Sequence, residues 1–148
     1  MPAKSNDENQ IRQLIEEWRN ALSNRDLDRM VQNYAPDMLF FDAVPPIQLQ
    51  DAAAYRKSWE QMLPHLPARV AADQRELEVK VSGDLAIAHC LTRLTDADTK
   101  ETAAAGWVRV TMCFERQNGA WRVVHEHVSV PFDPMTGKAV FHRGPQPK

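Results

Sequence analysis

Hydrophobic residues recur at helical spacing near the start of the chain. Between charged positions they fall every three or four residues, at Ile11, Leu14, Ile15, Trp18 and Leu22. This period predicts an amphipathic helix. Ser5 and Glu8 stand before it in the S-x-x-E pattern of an N-terminal capping box.

Two further helices are predicted from capping residues. Asp26 precedes a short stretch whose hydrophobic residues share one side, namely Leu27, Met30, Val31 and Tyr34. Pro36 ends this second helix, because proline has no N–H for the helical ladder. Asp51 caps the third helix, which carries the apolar stripe Tyr55, Trp59, Met62 and Leu63.

The remaining hydrophobic stretches have the length and turns of strands. A short apolar run covers 38–41, and longer strands are predicted at 70–81, 85–95, 107–116 and 121–130. Asn118-Gly119 between the last two is a hairpin signal. Helices followed by hairpin-linked strands indicate an α+β fold, with about three helices covering one face of a long, bent antiparallel sheet.

Composition narrows the class of protein. The chain has 148 residues, 43% of them hydrophobic and 26% charged, which is typical of one globular domain. The net charge of -2 offers no electrostatic reason to expect nucleic acid or an anionic membrane as a partner. We expect a domain over 1–132 and a loose, proline-rich tail over 133–148.

The cellular compartment is predicted from what the chain carries at its start and in its cysteines. Residues 1–8 are polar and lack the apolar stretch of a secretory signal, and no apolar run is long enough for a membrane span. Cys90 and Cys113 are therefore expected to be reduced, in a cytoplasmic protein.

Three segments together resemble a known superfamily. They are WRNALSNRDLD at 18–28, YAPD at 34–37 and GAWRVVHEHVS at 119–129. In this order and spacing they resemble the nuclear-transport-factor-2-like superfamily, which includes ketosteroid isomerase and SnoaL-type polyketide cyclases. The resemblance covers roughly residues 8–132. It implies a cone-shaped domain in which a curved, mixed sheet wraps around the N-terminal helices and encloses a pocket.

Asp42 is the first candidate for catalysis. The resemblance implies that it occupies the place of the isomerase's general base, at the end of the first strand. Four apolar residues precede it, and burial raises the pKa of a carboxylate toward the range of a general base. The alternative is a solvated turn residue before Ala43 and Val44. The isomerase's oxyanion donors fall at Trp18 and near Val110 or Thr111, so steroid isomerisation by that mechanism is not expected.

Glu126 is the second candidate, because it lies in a strand among valines. A glutamate is rarely buried without a partner, and Arg93 on another strand is the expected one. A catalytic carboxylate, a structural ion pair with Arg93 and an exposed edge residue all remain open for Glu126.

The resemblance also implies which strand residues face the pocket. Arg93 matches one of three arginines in the association domain of calcium/calmodulin-dependent protein kinase II, and the other two fall at Met112 and Val128. Together with helix aromatics, this alignment predicts the ligand-binding residues Trp18, Tyr34, Phe40, Trp59, His89, Arg93, Met112 and Val128. Leu91, Phe114 and Val124 are expected on the same face.

The opposite face of the sheet is expected to form an interface. His125 and His127 lie two apart, a spacing that can chelate a metal ion, but no third ligand follows at metal spacing. We therefore interpret them as interface or core residues and expect no metal. The predicted outer face would expose an apolar patch and form a two-fold homodimer through Thr111, Cys113, Trp121, Val123 and His125.

Two functions stay open at this point. The first is a cofactor-free acid–base enzyme that binds a small, largely hydrophobic molecule and uses Asp42, Glu126 or both, as an isomerase, cyclase, dehydratase or hydrolase. No metal, nucleotide or flavin motif is present, so no cofactor is expected. The second is a non-catalytic ligand-binding or homo-oligomerisation module. The placement of the two carboxylates decides between them.

Overall fold

Helices make up most of the N-terminal part of the fold. The computed structural model describes residues 5–145, so the predictions on 1–4 and 146–148 lie outside the described residues. The helices are α1 (Asn6–Ser23), α2 (Leu27–Val31) and α3 (Ala52–Met62), and a 3₁₀ turn, Leu63–His65, follows α3. Within residues 5–145, no helix has both the length and the apolarity to span a membrane.

Each helix begins at the capping residue that the sequence predicted. The Ser5 hydroxyl accepts a hydrogen bond from the Glu8 N–H at 3.1 Å, and the Asp51 carboxylate accepts one from Ala54 at 2.7 Å. Asp26 caps α2 in the same way. The Glu8 side chain does not return to Ser5 but pairs with Arg12 at 3.1 Å, so only half of the capping box forms.

A mixed five-stranded sheet forms the other layer. Its strands are β1 (Tyr34–Phe41), β2 (Val70–Ser82), β3 (Leu85–Asp96), β4 (Val108–Gln117) and β5 (Ala120–Ser129). Their order is β1-β5-β4-β3-β2, with β1 parallel to β5 and the other pairs antiparallel. This confirms the predicted α+β fold. The sequence pattern had placed Tyr34 in the second helix, but Tyr34 begins β1.

Register shifts bend this sheet. In β2 the shift falls between Arg75 and Glu78, and in β5 it falls at Val124, since Phe114 pairs with Val123 whereas Cys113 pairs with His125. A β-bulge of this kind adds one residue to a strand, bends it and exchanges the faces of the residues that follow.

The core lies between the helices and the inner face of the sheet. One cluster of buried residues includes Ile11, Met38, Tyr55 and Phe114, and a second includes Leu22, Met30, Leu63 and Val70. Trp18 and Trp59 pack against both clusters, and their rings meet edge to face with centroids 5.6 Å apart. Both indoles also lie where the packed interior opens into a cavity.

The chain after β5 packs on the body of the fold. A two-stranded hairpin joins β6 (Phe132–Asp133) to β7 (Lys138–Ala139), and the next residues run back to the segment before β4. There the Trp107 N–H donates to the His142 carbonyl at 2.8 Å. Residues 142–144 of the expected tail lie on the domain, because their backbone carbonyls accept hydrogen bonds from it. The boundary at residue 132 stays a prediction.

Candidate functional site

A cavity of about 320 Å³ opens between the helices and the inner face of the sheet. Its wall is mainly apolar and includes Leu14, Trp18, Met30, Phe40, Trp59, Met112 and Val128. This volume is at the lower end of the range for ligand sites in proteins, and apolar walls with few polar groups are typical of such sites.

Asp42 and Glu126 both line this cavity. Glu126 pairs in register with Phe40 on the neighbouring strand, and Asp42 follows Phe40 by two residues. Because side chains two apart in an extended chain share a face, the parallel pairing of β1 and β5 directs both carboxyl groups to the inner face.

Glu126 is held by a buried tyrosine and not by Arg93. Its side chain is 7% exposed, and the Tyr34 hydroxyl donates to Glu126 Oε1 at 2.6 Å. Burial raises the pKa of Glu126 to about 7, while the hydrogen bond from Tyr34 opposes the shift and the charge of Asp42 adds to it. A substantial fraction of Glu126 is therefore protonated near neutral pH.

A chain of hydrogen bonds orients this carboxyl group. The Trp18 indole N–H donates to the Tyr55 hydroxyl at 3.2 Å, and the hydroxyls of Tyr55 and Tyr34 are 3.1 Å apart. Because the proton of Tyr34 points to Glu126, the Tyr55 hydroxyl is the donor in that pair. Within residues 5–145, Glu126 Oε2 has no hydrogen-bond partner and remains available to a ligand.

Asp42 combines the two interpretations that the sequence left open. It lines the cavity and also begins a turn, in which its carboxylate accepts the Ala43 N–H at 2.7 Å. Burial raises its pKa, and the backbone N–H groups of Ala43 and Val44 oppose that shift. Asp42 is thus a partly desolvated carboxylate with a fixed orientation.

His89 and Arg93 are not in the cavity, contrary to the prediction. His89 is exposed, and Arg93 pairs with Asp73 at 3.0 Å and lies over the Trp107 ring at 5.0 Å. The even-numbered residues of β3 face inward, so Thr92 and Leu94 line the cavity instead. The alignment that placed Arg93 inside was one residue out of phase, and Leu91 was misplaced with it.

The other predicted wall residues do line the cavity, namely Trp18, Tyr34, Phe40, Trp59, Met112, Phe114 and Val128. Several polar lining residues were missed, namely Arg29, Asn33, Ser58, Gln74 and Thr92. Gln74 and Thr92 are register partners on β2 and β3. The large hydrophobic residues of β3 do not mark its inner face, because Leu85 and Ile87 are exposed whereas Ala86, Ala88 and Cys90 are buried. No local signal therefore indicates either residue.

The outer face also differs from the prediction. Trp121 and Val123 are buried on the inner side, whereas Val124 does not line the cavity. The bulge at Val124 explains both differences, because the inward positions are odd-numbered before it and even-numbered after it. His125 does lie outside, where its Nδ1 is 2.8 Å from the Leu39 carbonyl. No group of three His, Cys, Asp or Glu residues in the described part is placed to hold a metal ion.

Comparison with protein families identifies the family of this domain. The profile of the SnoaL-like domain matches residues 11–133, which is most of the chain. The chain belongs to the SnoaL-like domain family. This confirms the resemblance to the nuclear-transport-factor-2-like superfamily. A search of curated proteins found no match to this SnoaL-like domain.

A solved structure supports the same assignment. The SnoaL-like domain is 37% identical to an NTF2-like protein of unknown function from Pseudomonas putida KT2440. The match covers 97% of this chain and 100% of that one, with a TM-score of 0.85.

More distant structures share the fold alone. One, from Streptomyces avermitilis, is named provisionally as a dehydratase of the NTF2-like family; it is 15% identical, with 86% and 97% of the two chains covered and a TM-score of 0.71. Another, from Novosphingobium aromaticivorans, is named provisionally as an aromatic ring hydroxylase. It is also 15% identical, with 86% and 91% covered and a TM-score of 0.71.

Proposed function

We propose that this SnoaL-like domain binds a small, largely apolar molecule in the cavity and moves a proton on it without a cofactor. The observation that carries the proposal is the pair of carboxyl groups, Asp42 and Glu126, which face one apolar cavity from neighbouring strands. Carboxyl groups with raised pKa values in a cleft are the groups that general acid–base catalysis requires near neutral pH.

The two carboxyl groups suit different roles. Asp42 is partly exposed, and its carboxylate takes a proton from a carbon beside a carbonyl group. The electron pair moves to the carbonyl oxygen, and Glu126 Oε2 in its protonated form gives its proton to that oxygen. Tyr34 holds Oε1 throughout and so keeps Oε2 directed at the ligand.

This proton transfer is shared by several reactions. When Asp42 returns the proton to another carbon, the substrate is isomerised. When Asp42 gives it to a hydroxyl group on the next carbon, that group leaves as water and the substrate is dehydrated. In both reactions the enol oxygen returns its proton to Glu126. The Streptomyces avermitilis structure that shares this fold is named provisionally as a dehydratase, which agrees with this chemistry. Isomerase and dehydratase activities on small hydroxylated or cyclic ketones are therefore the first to test.

The test is exchange of carbon-bound hydrogen for deuterium. A panel of such ketones is incubated with the protein in D₂O and followed by proton NMR. We expect Asp42→Asn to slow exchange by roughly 10²–10⁴-fold while it still binds the ketone. Asp37→Asn, an exposed aspartate on the same strand, is the matched control. Equal exchange rates in wild type and Asp42→Asn would rule out Asp42 as the base.

The alternative is a ligand-binding module without catalysis. The hydrogen bond from Tyr34 to Glu126 favours it, because structural carboxyl groups are also held in this way. On this alternative, ketones bind with no exchange of hydrogen in wild type, and Asp42→Asn and Glu126→Gln change affinity alone.

We also infer a homodimer through the outer face of the sheet. Two rows of register partners cross β1, β5, β4 and β3 on that face: Leu39, His125, Cys113 and Ile87, then Phe41, His127, Thr111 and His89. Ile87 is 40% exposed in the single chain. A second copy that covers these rows would remove their apolar surface from water.

The cytoplasmic location of the protein stays a prediction.

A further inference from the structure

The segment 139–145 forms one wall of the cavity, and we call it the C-terminal strap. Ala139 and Phe141 line the cavity, and Phe141 is still 44% exposed. Phe141 therefore borders both the cavity and solvent. Residues 104–106, in the segment before β4, line the cavity as well.

Hydrogen bonds to backbone carbonyls hold the strap in place. Arg93 Nη1 donates to the Gly144 carbonyl at 2.7 Å and to the Arg143 carbonyl at 3.1 Å. Trp107 donates its backbone N–H to the His142 carbonyl and its indole N–H to the Gly144 carbonyl, both at 2.8 Å. We call Arg93 and Trp107 the latch. This assigns Arg93 a role outside the cavity.

The seat of the strap depends on a glycine. A Cβ added to Gly106 would lie 2.4 Å from the His142 carbonyl oxygen, closer than side-chain carbons approach a backbone oxygen. The φ of Gly106 is +143°, which also favours glycine. The strap therefore reaches the body of the fold at a position that only glycine allows.

Several features make the strap easier to release than the core. Val140 and Phe141 are exposed, and the bonds from Arg93 to the carbonyls of Arg143 and Gly144 lie at the surface. Segments with few buried apolar contacts and exposed hydrogen bonds open locally at low free-energy cost.

We propose that the strap is the outer wall of the ligand site, in which Phe141 contacts the ligand and limits its length, while Arg93 and Trp107 position that wall. The proposal rests on the proposed function, because it assumes that an apolar ligand occupies the cavity. It adds that a residue beyond the sheet determines which apolar ligands fit.

A homologous series of 4-alkylphenols tests this, with binding followed by quenching of tryptophan fluorescence, since Trp18 and Trp59 line the cavity. Each CH₂ buried in the cavity improves Kd about fourfold. In wild type we expect this gain to stop at the chain length that reaches Phe141. In Phe141→Ala the gain continues for two or more carbons, so that the longest phenols bind at least about fifteenfold tighter than to wild type. Val140→Ala, on the same strap but outside the cavity lining, keeps the wild-type limit.

The latch is tested in the same series with Arg93→Gln. We expect the amide of Trp107 to exchange with D₂O about tenfold faster or more, because the strap loses two hydrogen bonds, and the length limit to rise as in Phe141→Ala. Arg75→Gln is the matched control, because Arg75 also pairs with Asp73, at 2.7 Å, but makes no hydrogen bond to residues 142–144. Unchanged exchange in Arg93→Gln overturns the latch.

A variant with a filled cavity distinguishes a failure of the strap proposal from a failure of the proposed function. Val128→Phe, or Ala104→Phe if that variant does not fold, fills the cavity and should abolish binding of every phenol. If it does so but Phe141→Ala keeps the wild-type length limit, the strap proposal alone is overturned. If no phenol binds wild type or Phe141→Ala, the apolar ligand site itself is overturned, and the ligand contact of Phe141 with it.

Discussion

Glu126 acquires its chemistry from its surroundings in the folded chain. A glutamate in water is ionised at neutral pH, but this one is enclosed by apolar residues and receives one hydrogen bond, from Tyr34. Burial disfavours the charged form more than the hydrogen bond favours it, so the pKa is raised. The pKa of a glutamate at an exposed strand position would not be raised by burial.

The raised pKa of Glu126 predicts how stability depends on pH. Between the usual 4.5 and about 7 the native state holds a proton that the unfolded chain has lost. Its contribution to the free energy of unfolding is therefore complete below pH 4.5 and is lost as the pH rises through about 7. The loss amounts to about 3 kcal/mol.

Urea unfolding at several pH values measures this effect. In Glu126→Gln the loss should disappear over that window, because glutamine does not ionise and its oxygen still accepts the Tyr34 hydroxyl. Glu78→Gln, at an exposed position of β2, should keep the wild-type dependence. A Glu126→Gln variant with the wild-type pH dependence would show that Glu126 is not the group responsible.

The hydroxyl of Tyr34 is predicted to tune Glu126. Its hydrogen bond lowers the pKa of Glu126, so Tyr34→Phe should raise that pKa further. It should also cost about 1–3 kcal/mol of stability, because the Tyr55 hydroxyl and Glu126 Oε1 both lose a buried partner. Tyr55→Phe keeps the bond from Tyr34 to Glu126 and serves as control. NMR titration of the Glu126 carboxyl carbon measures both variants, and equal titration midpoints in wild type and Tyr34→Phe would contradict the prediction.

At the scale of secondary-structure elements, bulges determine which residues form the site. Without the extra residue at Val124, Trp121 and Glu126 would lie on opposite faces of β5. The bulge allows one strand to contribute Trp121 and Val123 to the core and then Glu126 and Val128 to the cavity. Strand alternation alone predicts one of these sets and misplaces the other.

Gly106 carries a prediction about the contact between two segments. Gly106→Ala should destabilise the protein by about 1–3 kcal/mol, because its Cβ meets the His142 carbonyl oxygen at 2.4 Å. Gly83→Ala, where φ is +60° but nothing lies within 4 Å, should cost about 1 kcal/mol from backbone strain alone.

Denaturant unfolding in a double-mutant cycle isolates the contact. In a chain that ends at Val140 the clash partner of Gly106→Ala is gone, so the cost of the substitution should fall, whereas that of Gly83→Ala should not change. An identical cost of Gly106→Ala in both chain lengths would place the strain elsewhere than at the strap.

At the scale of the whole molecule, the inferred dimer is tested by one charge. Ile87→Glu puts a carboxylate into the row that crosses four strands, and it should weaken association by roughly tenfold or more, because a buried, unpaired charge is costly at an interface. Ile47→Glu, at a loop position 93% exposed, should leave association unchanged. Analytical ultracentrifugation distinguishes the two. A wild-type protein that sediments only as a monomer at micromolar concentration would rule out the interface.

Features that neighbouring residues produce could be predicted from the sequence. Hydrophobic residues at helical spacing, the caps Ser5, Asp26 and Asp51, and the hairpin turn at Asn118 are local, and each was predicted correctly. The order of the elements and the three matching segments were enough for the fold family. Asp42 became a candidate through the resemblance, which places it at the position of the isomerase's general base, since its local pattern also fits a solvated turn residue.

Contacts between residues far apart in the sequence could be assigned only from the tertiary structure. Tyr34 and Glu126 are 92 positions apart, and their bond depends on the parallel pairing of β1 with β5, which no local pattern indicates. Arg93 was assigned to the wrong face because the alignment with the kinase association domain was one residue out of phase on β3. The phase of that strand is set by its pairing with β2 and β4. The strap is the same case, since its carbonyls bind donors that lie some 35–50 positions earlier in the chain. Such contacts form only when the sheet has closed around them, and that closure is a property of the whole chain.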